Sequence, residues 1–161
     1  MIFLTIGTLF GFDRLVRAVD EAIRDGALQE SVFAQIGPGE YRPRHMEALE
    51  VLDKETFEAR MAAATALISH AGMGSISLAL KLRKPMLVLP RLHKYGEHVN
   101  DHQLHTARKF ESLGCVLAAY DTPDLIFQYP KLNGFVPRIR VANREGVIRR
   151  LEAFLSETSV R

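Results

Sequence analysis

Short apolar segments recur along most of the chain, and most are followed by a polar or glycine-rich turn and a helical pattern. The apolar segments lie at residues 2–6, 32–36, 66–69, 86–89 and 116–119, with a weaker candidate at 48–52. Segments of this length fit strands and are too short for helices. Strands that alternate with helices form a parallel sheet with helices on both faces. The pattern therefore predicts an α/β fold with a Rossmann-like parallel sheet.

The segments between these strands carry apolar residues at helical spacing. In the first of them the apolar positions are Leu15, Val16, Val19, Ala22 and Ile23. Asp13 is placed to cap this helix, and Gly26 is placed to end it. The same spacing predicts helices over residues 54–64, 75–82, 100–113 and 145–155.

Length and composition narrow the class of protein. The chain has 161 residues, the usual size of one domain, and its 47% hydrophobic and 25% charged residues are ordinary globular values. The net charge of +2 is too small to indicate nucleic-acid binding. The single cysteine, Cys115, excludes an internal disulfide and a four-cysteine metal site. Because no basic leader and no long apolar segment are present, we expect a cytoplasmic protein.

Parallel sheets of this kind bind ligands beyond the carboxyl ends of their strands, so the loops there are the candidate sites. Residues 7–13 and 70–75 both join a strand to a helix and both carry glycines. Such loops suit a phosphate, because main-chain N–H groups point at the ligand and glycine allows it to approach closely. The first loop matches neither the dinucleotide fingerprint nor the P-loop, and an ordinary turn remains open for it. For His70, a role in the core or the turn is equally open.

The third loop, residues 91–103, is dense in polar side chains and holds three of the six histidines. His98 and His102 are four residues apart, but a zinc helix would also need a glutamate and a third ligand in context. Asn100 or Asp101 can cap the next helix. We favour recognition of sugar hydroxyls, because carboxylate and amide groups discriminate strongly among them.

Three ordered motifs carry a resemblance to a known family. They are residues 5–8 (Thr-Ile-Gly-Thr) with 12–16, residues 68–75 (Ile-Ser-His-Ala-Gly-Met-Gly-Ser) and residues 96–103 (Gly-Glu-His-Val-Asn-Asp-His-Gln). Over nearly its whole length the chain resembles the donor-binding C-terminal domain of glycosyltransferase family 28. The likeness is strongest to stand-alone subunits, namely bacterial exopolysaccharide proteins of the PssE type and the catalytic subunit of the eukaryotic dolichol-linked GlcNAc transferase.

The resemblance implies one half of a GT-B glycosyltransferase, a single donor-binding domain over residues 1–161. Such a protein would bind a UDP-sugar and transfer a hexosyl or glycuronosyl group, with inversion, to a lipid-linked saccharide acceptor in polysaccharide biosynthesis. The residues implied at the diphosphate are Gly7, Thr8, Gly72, Gly74 and Ser75. His70 would add a hydrogen-bond donor or a positive charge there, and the general base would lie on a partner.

The donor sugar would be contacted by Gln103, Asn100 and Asp101. Relatives of the MurG type bind the ribose with a glutamate at the position of Leu78, so Glu97 is our candidate replacement. No cofactor or metal is implied. The implied partner is a membrane-associated acceptor-binding subunit resembling PssD, which would recruit this chain to the inner face of the plasma membrane.

A basic run near the C-terminus lies beside apolar residues. It comprises Arg138, Arg140, Arg144, Arg149 and Arg150, beside Phe135, Val136 and Ile139. We interpret it as a docking surface for the partner or for anionic lipid, and a solvated helix face is the alternative. Three other functions remain open: half of a UDP-sugar epimerase, a non-catalytic nucleotide-binding regulatory module and an unrelated flavodoxin-like protein.

Overall fold

A computed structural model describes residues 1–139 and 144–158, and its centre is a six-stranded parallel sheet. The strands are β1 (Ile2–Thr5), β2 (Val32–Gln35), β3 (Glu47–Leu49), β4 (Ala66–His70), β5 (Met86–Leu89) and β6 (Leu117–Ala118). Their order across the sheet is β3-β2-β1-β4-β5-β6. The chain therefore builds outward from β1 in one direction and then outward from β4 in the other. The crevice where the direction changes is the usual ligand site of such sheets.

In the described parts of the chain, five helices cover both faces of this sheet, and the described side chains of a sixth are exposed. The helices are α1 (Asp13–Arg24), α2 (Lys54–Ala63), α3 (Met73–Lys81), α4 (His102–Ser112), α5 (Thr122–Gln128) and α6 (Arg144–Thr158), with 3₁₀ turns at His93–Tyr95 and Tyr129–Leu132. Alternate strand residues enter two separate cores. Ile2 and Leu4 pack with α1 and α5, whereas Phe3 packs with α2, α3 and α4. The predicted Rossmann-like fold is confirmed.

The structure differs from the sequence prediction at the starts of two helices and in one further helix. Phe12, not Asp13, holds the cap position of α1, and an Asp13 carboxylate oxygen instead accepts a 3.1 Å bond from the Glu40 N–H. Helix α4 begins at His102, and Asp101 holds its cap position without a side-chain cap bond, while the His102 N–H donates to the Asn100 side chain at 3.1 Å. Helix α5 was not predicted, although the side chain of Asp121 caps it.

One buried carboxylate fixes the crossover between β2 and β3 to helix α1. Asp20 is 1% exposed and accepts hydrogen bonds from the main-chain N–H groups of Arg44 and His45 and from the Tyr41 hydroxyl. Burial alone would raise the pKa of Asp20, but these bonds outweigh it and hold the pKa below its ordinary value of 3.8. The ionised form is therefore the one that the fold stabilises.

Asp20→Asn should destabilise the protein by roughly 1–3 kcal/mol, because the amide turns a donor toward groups that already donate. The cost should be greatest near pH 7. It should shrink as the pH falls through the depressed pKa of Asp20, where the wild type also loses the ionised form. Urea denaturation at pH 7 and pH 3 measures both effects. Asp25→Asn is the control, since Asp25 is exposed and pairs only with Arg24 next to it. Equal changes in the two variants would contradict this role.

No helix in the described parts of the chain is long and apolar enough to cross a bilayer. Cys115 is buried and reduced, as expected of a small apolar core residue.

Candidate functional site

The loops that follow β1 and β4 lie side by side at the carboxyl edge of the sheet. Gly7 has a positive φ of 77°, and a Cβ on it would lie 3.3 Å from the His70 ring. A Cβ on Gly72 would overlap His70 Nε2. Glycine at these two positions therefore lets both loops close around the imidazole. The structure brings together the two loops that the sequence singled out as phosphate sites.

Helix α3 begins at this crevice with unpaired main-chain donors. Its first helical hydrogen bond runs from the Ile76 N–H to the Gly72 carbonyl, 3.1 Å away. Because helical bonding starts there, the N–H groups of Met73, Gly74 and Ser75 are left for another acceptor. A Cβ on Gly74 would meet no heavy atom within 4 Å, so the space beside this helix start is open. This end of α3 is suited to an anion by its free donors and by the helix dipole.

His70 is held in one tautomer by its neighbour. The Ser69 hydroxyl donates to the Thr5 carbonyl at 2.7 Å and lies 3.2 Å from His70 Nδ1. Since its single hydrogen is used, Ser69 Oγ accepts from Nδ1–H, which leaves a lone pair on Nε2. Burial, the charge of Arg91 and that of His98 lower the pKa of His70 to about 4. The ring is therefore neutral at pH 7 and does not supply the positive charge that we considered.

The third loop, residues 91–103, folds across the loop after β1. Arg14 at the start of α1 forms a bidentate ion pair with Glu97, at 2.7 and 2.8 Å, and also donates to the Pro90 carbonyl. Oε2 of Glu97 also accepts a hydrogen bond from the Leu92 N–H at 2.9 Å. Both carboxylate oxygens of Glu97 therefore hold the loop in place. The ribose role that we considered for it finds no support in this geometry, and Leu78 packs in the core.

The predicted sugar-contacting residues also bond within this loop. Gln103 is 3% exposed, and its Oε1 accepts from the Arg91 N–H at 3.1 Å. Asp101 accepts from the His93 N–H at 2.7 Å. The Asn100 side chain accepts from the His102 N–H at the start of α4, as described above. All three shape the loop, and only the groups that remain free, such as the Gln103 amide nitrogen, could also meet a ligand.

A cleft of about 470 Å³ opens between the loops after β1, β2 and β5. Its lining residues include Phe10, Asp13, Arg14, Glu40 and Tyr95. The sequence analysis missed Arg14, whose partner Glu97 is 83 positions away. His98 and His102 pack edge to face with ring centroids 4.5 Å apart, and the described residues contain no group of three placed to hold a metal ion.

Three solved structures share this fold at low sequence identity. The NMR structure of ALG13 is 20% identical with a TM-score of 0.60, and the match covers 93% of this chain and 94% of that one. MurG of Acinetobacter baumannii is 16% identical with a TM-score of 0.59, over 82% of this chain and 41% of that one. The glycosyltransferase VinC in complex with dTDP is 19% identical with a TM-score of 0.52, over 83% and 33%.

The chain thus spans well under half the length of MurG and VinC and nearly the whole length of ALG13. No curated protein sequence matches it. The family profile of the glycosyltransferase family 28 C-terminal domain matches residues 1–133. That match includes β1 to β6 and all three loops of the crevice. The chain belongs to the glycosyltransferase family 28 C-terminal domain family, a donor-binding half of the GT-B fold.

Proposed function

We propose that this chain is the donor-binding component of a two-component inverting glycosyltransferase. It would take a UDP-sugar and deliver the sugar to a lipid-linked saccharide acceptor in polysaccharide biosynthesis. The observation that carries the proposal is the crevice between β1 and β4, where the free N–H groups of α3 face open space beside Gly74. Such donors suit the diphosphate of a nucleotide sugar.

In this reaction the bond between the anomeric carbon and the phosphate oxygen breaks, and the diphosphate leaves with the electron pair. The N–H groups of residues 73–75 and the dipole of α3 would stabilise the charge that develops on that oxygen. Neutral His70 offers a hydrogen-bond acceptor at Nε2. It would therefore accept a hydrogen bond from the ligand rather than donate one to the diphosphate. The acceptor hydroxyl oxygen would form the new bond to the anomeric carbon from the opposite side and lose its proton to a base on the partner. Holding the donor in place is the main contribution of this chain.

An exposed apolar face on α6 supports the need for a partner. Val147 is 60% exposed, Ile148 48% and Leu151 56%, and their spacing places them on one side of the helix. A monomer rarely leaves such a face in water. The later part of the basic run, residues 144–150, lies on the same helix. Arg140 lies outside the described residues, and the main chain of Arg138 is bonded to Gly114. We therefore place the contact with the acceptor-binding subunit on α6.

The purified chain alone should show no sugar transfer, and co-expression with a membrane-associated subunit resembling PssD should restore it. The physical reason is that the described residues form the donor side of the crevice, and the proposal assigns the acceptor site to the partner. Transfer of radiolabelled sugar from UDP-sugars to membrane lipid extracts measures this. Full activity of the chain alone would contradict the two-component proposal. Binding of UDP without transfer in either sample would favour the non-catalytic regulatory module.

Two variants of α6 sharpen this experiment. Val147→Asp combined with Leu151→Asp should reduce partner-dependent transfer by about 100-fold, because burying two charges at an interface is costly. UDP binding by the isolated variant should stay unchanged. Ser156→Asp is the matched control, since Ser156 is exposed on the opposite side of the same helix and belongs neither to the apolar face nor to the basic run. Equal loss in the control would place the defect in the helix as a whole.

A further inference from the structure

A buried cation lies beneath the loop that follows β1. Arg91 comes two residues after β5 and is 3% exposed. Its guanidinium donates to the main-chain carbonyls of Ile6 and Phe10, both at 2.7 Å, and to that of Gly11 at 3.4 Å. The ring of Phe12 covers it at 5.0 Å. One side chain therefore fixes the backbone of the whole loop from below.

The charge of Arg91 has no close counter-ion in the described parts of the chain. None of the ion pairs there includes Arg91, and the nearest candidate, Glu97, is paired with Arg14. Burial lowers the pKa of Arg91 to about 10, against the opposing effect of Glu97, so the guanidinium remains charged at pH 7. Burying a cation with carbonyl partners alone is costly. An anion bound nearby would offset that cost.

The contacts of Arg91 also decide where the loop's N–H groups point. No peptide bond here is cis, and in a trans peptide the C=O and N–H point in opposite directions. Because the carbonyls of Phe10 and Gly11 turn inward to Arg91, the N–H groups of Gly11 and Phe12 turn away from it. Neither donates a hydrogen bond to any described residue. Phe12 is 1% exposed, which closes its N–H to a ligand, whereas Gly11 lines the cleft between the loops after β1, β2 and β5, where its N–H is open to one.

We propose that Arg91 is a positioning residue of the donor site, which fixes the Gly11 N–H group so that it binds the diphosphate. The inference rests on the proposed function, because the anion is the diphosphate of the donor. Arg91 does not touch the ligand. It polarises the same peptide group from the other side, and hydrogen bonds in such a chain strengthen each other. Its own N–H holds Gln103, so it joins the diphosphate loop to the third loop.

The test compares UDP with UMP in calorimetry on the isolated chain and its variants. In Arg91→Met the preference for UDP over UMP should fall at least about tenfold, because the second phosphate loses an oriented donor. Arg91→Lys keeps the charge but cannot reach all three carbonyls, so its preference should lie between those of the wild type and Arg91→Met. Lys84→Met is the control, since Lys84 also donates to a carbonyl, that of Ala64, away from the crevice. Its preference should be unchanged.

A purely structural role for Arg91 would weaken UDP and UMP binding equally, and that result overturns the inference. If Arg91→Met does not fold, Arg91→Lys decides the matter, and a wild-type preference in it overturns the inference. In the wild type, the amide signal of Gly11 should shift when UDP is added, and an unchanged signal would also overturn it. Absence of UDP binding by the wild type would instead overturn the proposed function, on which this role for Arg91 depends.

Discussion

Gly74→Val should weaken UDP binding by at least about 100-fold while the protein stays folded. A Cβ at this position would meet no protein atom within 4 Å, so the valine fits the fold but fills the space beside the free N–H groups of α3. A loss of this size corresponds to losing two charge-assisted hydrogen bonds. Valine is also a better helix former than glycine, so the thermal midpoint should not fall.

Calorimetry and thermal denaturation measure these two effects. Ala62→Val is the matched control, because Ala62 is exposed near the end of α2, at the far edge of the sheet. It adds the same branched side chain to a helix and should leave UDP binding intact. If Gly74→Val bound UDP as well as the wild type, the start of α3 would not be the diphosphate site.

Gln103→Glu should lower sugar transfer by about 100-fold and change UDP affinity by less than about threefold. The glutamate keeps an oxygen for the Arg91 N–H, so the third loop keeps its shape. It loses the amide nitrogen, the hydrogen-bond donor that we assign to a sugar hydroxyl. A site that is built around such a hydrogen bond loses most of its activity when the bond is missing. Transfer by the chain together with its partner, and UDP binding by the chain alone, give the two values.

Gln103→Met is the companion variant, because it removes the oxygen as well as the amide. In this variant the Arg91 N–H loses its acceptor. UDP affinity and the stability of the fold should therefore fall together with sugar transfer. If Gln103→Glu lost UDP affinity in proportion to transfer, Gln103 would serve only to support the loop. If neither variant changed transfer, the third loop would not contact the sugar.

The sequence pattern predicted the strands well. Buried parallel strands are continuous apolar runs, and the polar turns on either side mark where each one begins and ends. Five of the six predicted strands agree with those in the structure within one residue at each end, and the weaker candidate at 48–52 extends three residues beyond the end of β3. Helix α5 was missed, because a seven-residue helix offers too few turns for a repeating apolar pattern. The signal that could have found it is Asp121 followed by Pro123, a capping residue with proline in the first turn.

The contacts that shape the site could not be read from the sequence. Arg14 and Glu97 are 83 positions apart, and Arg91 and Ile6 are 85 apart, so no local pattern joins them. The sequence located three loops at the carboxyl edge of the sheet correctly. It could not show that Glu97 is occupied by Arg14, nor that burial keeps His70 neutral, because both depend on which loop folds across which.

The binding of UDP and UMP to the isolated wild-type chain tests the central claim most directly. That claim is that the crevice between β1 and β4 is built for a diphosphate. Titration calorimetry at low salt and pH 7 gives both affinities. We expect UDP to bind at least about tenfold more tightly than UMP, since the second phosphate gains hydrogen bonds from free N–H groups. Equal affinities for the two nucleotides, or no binding of either, would contradict the account.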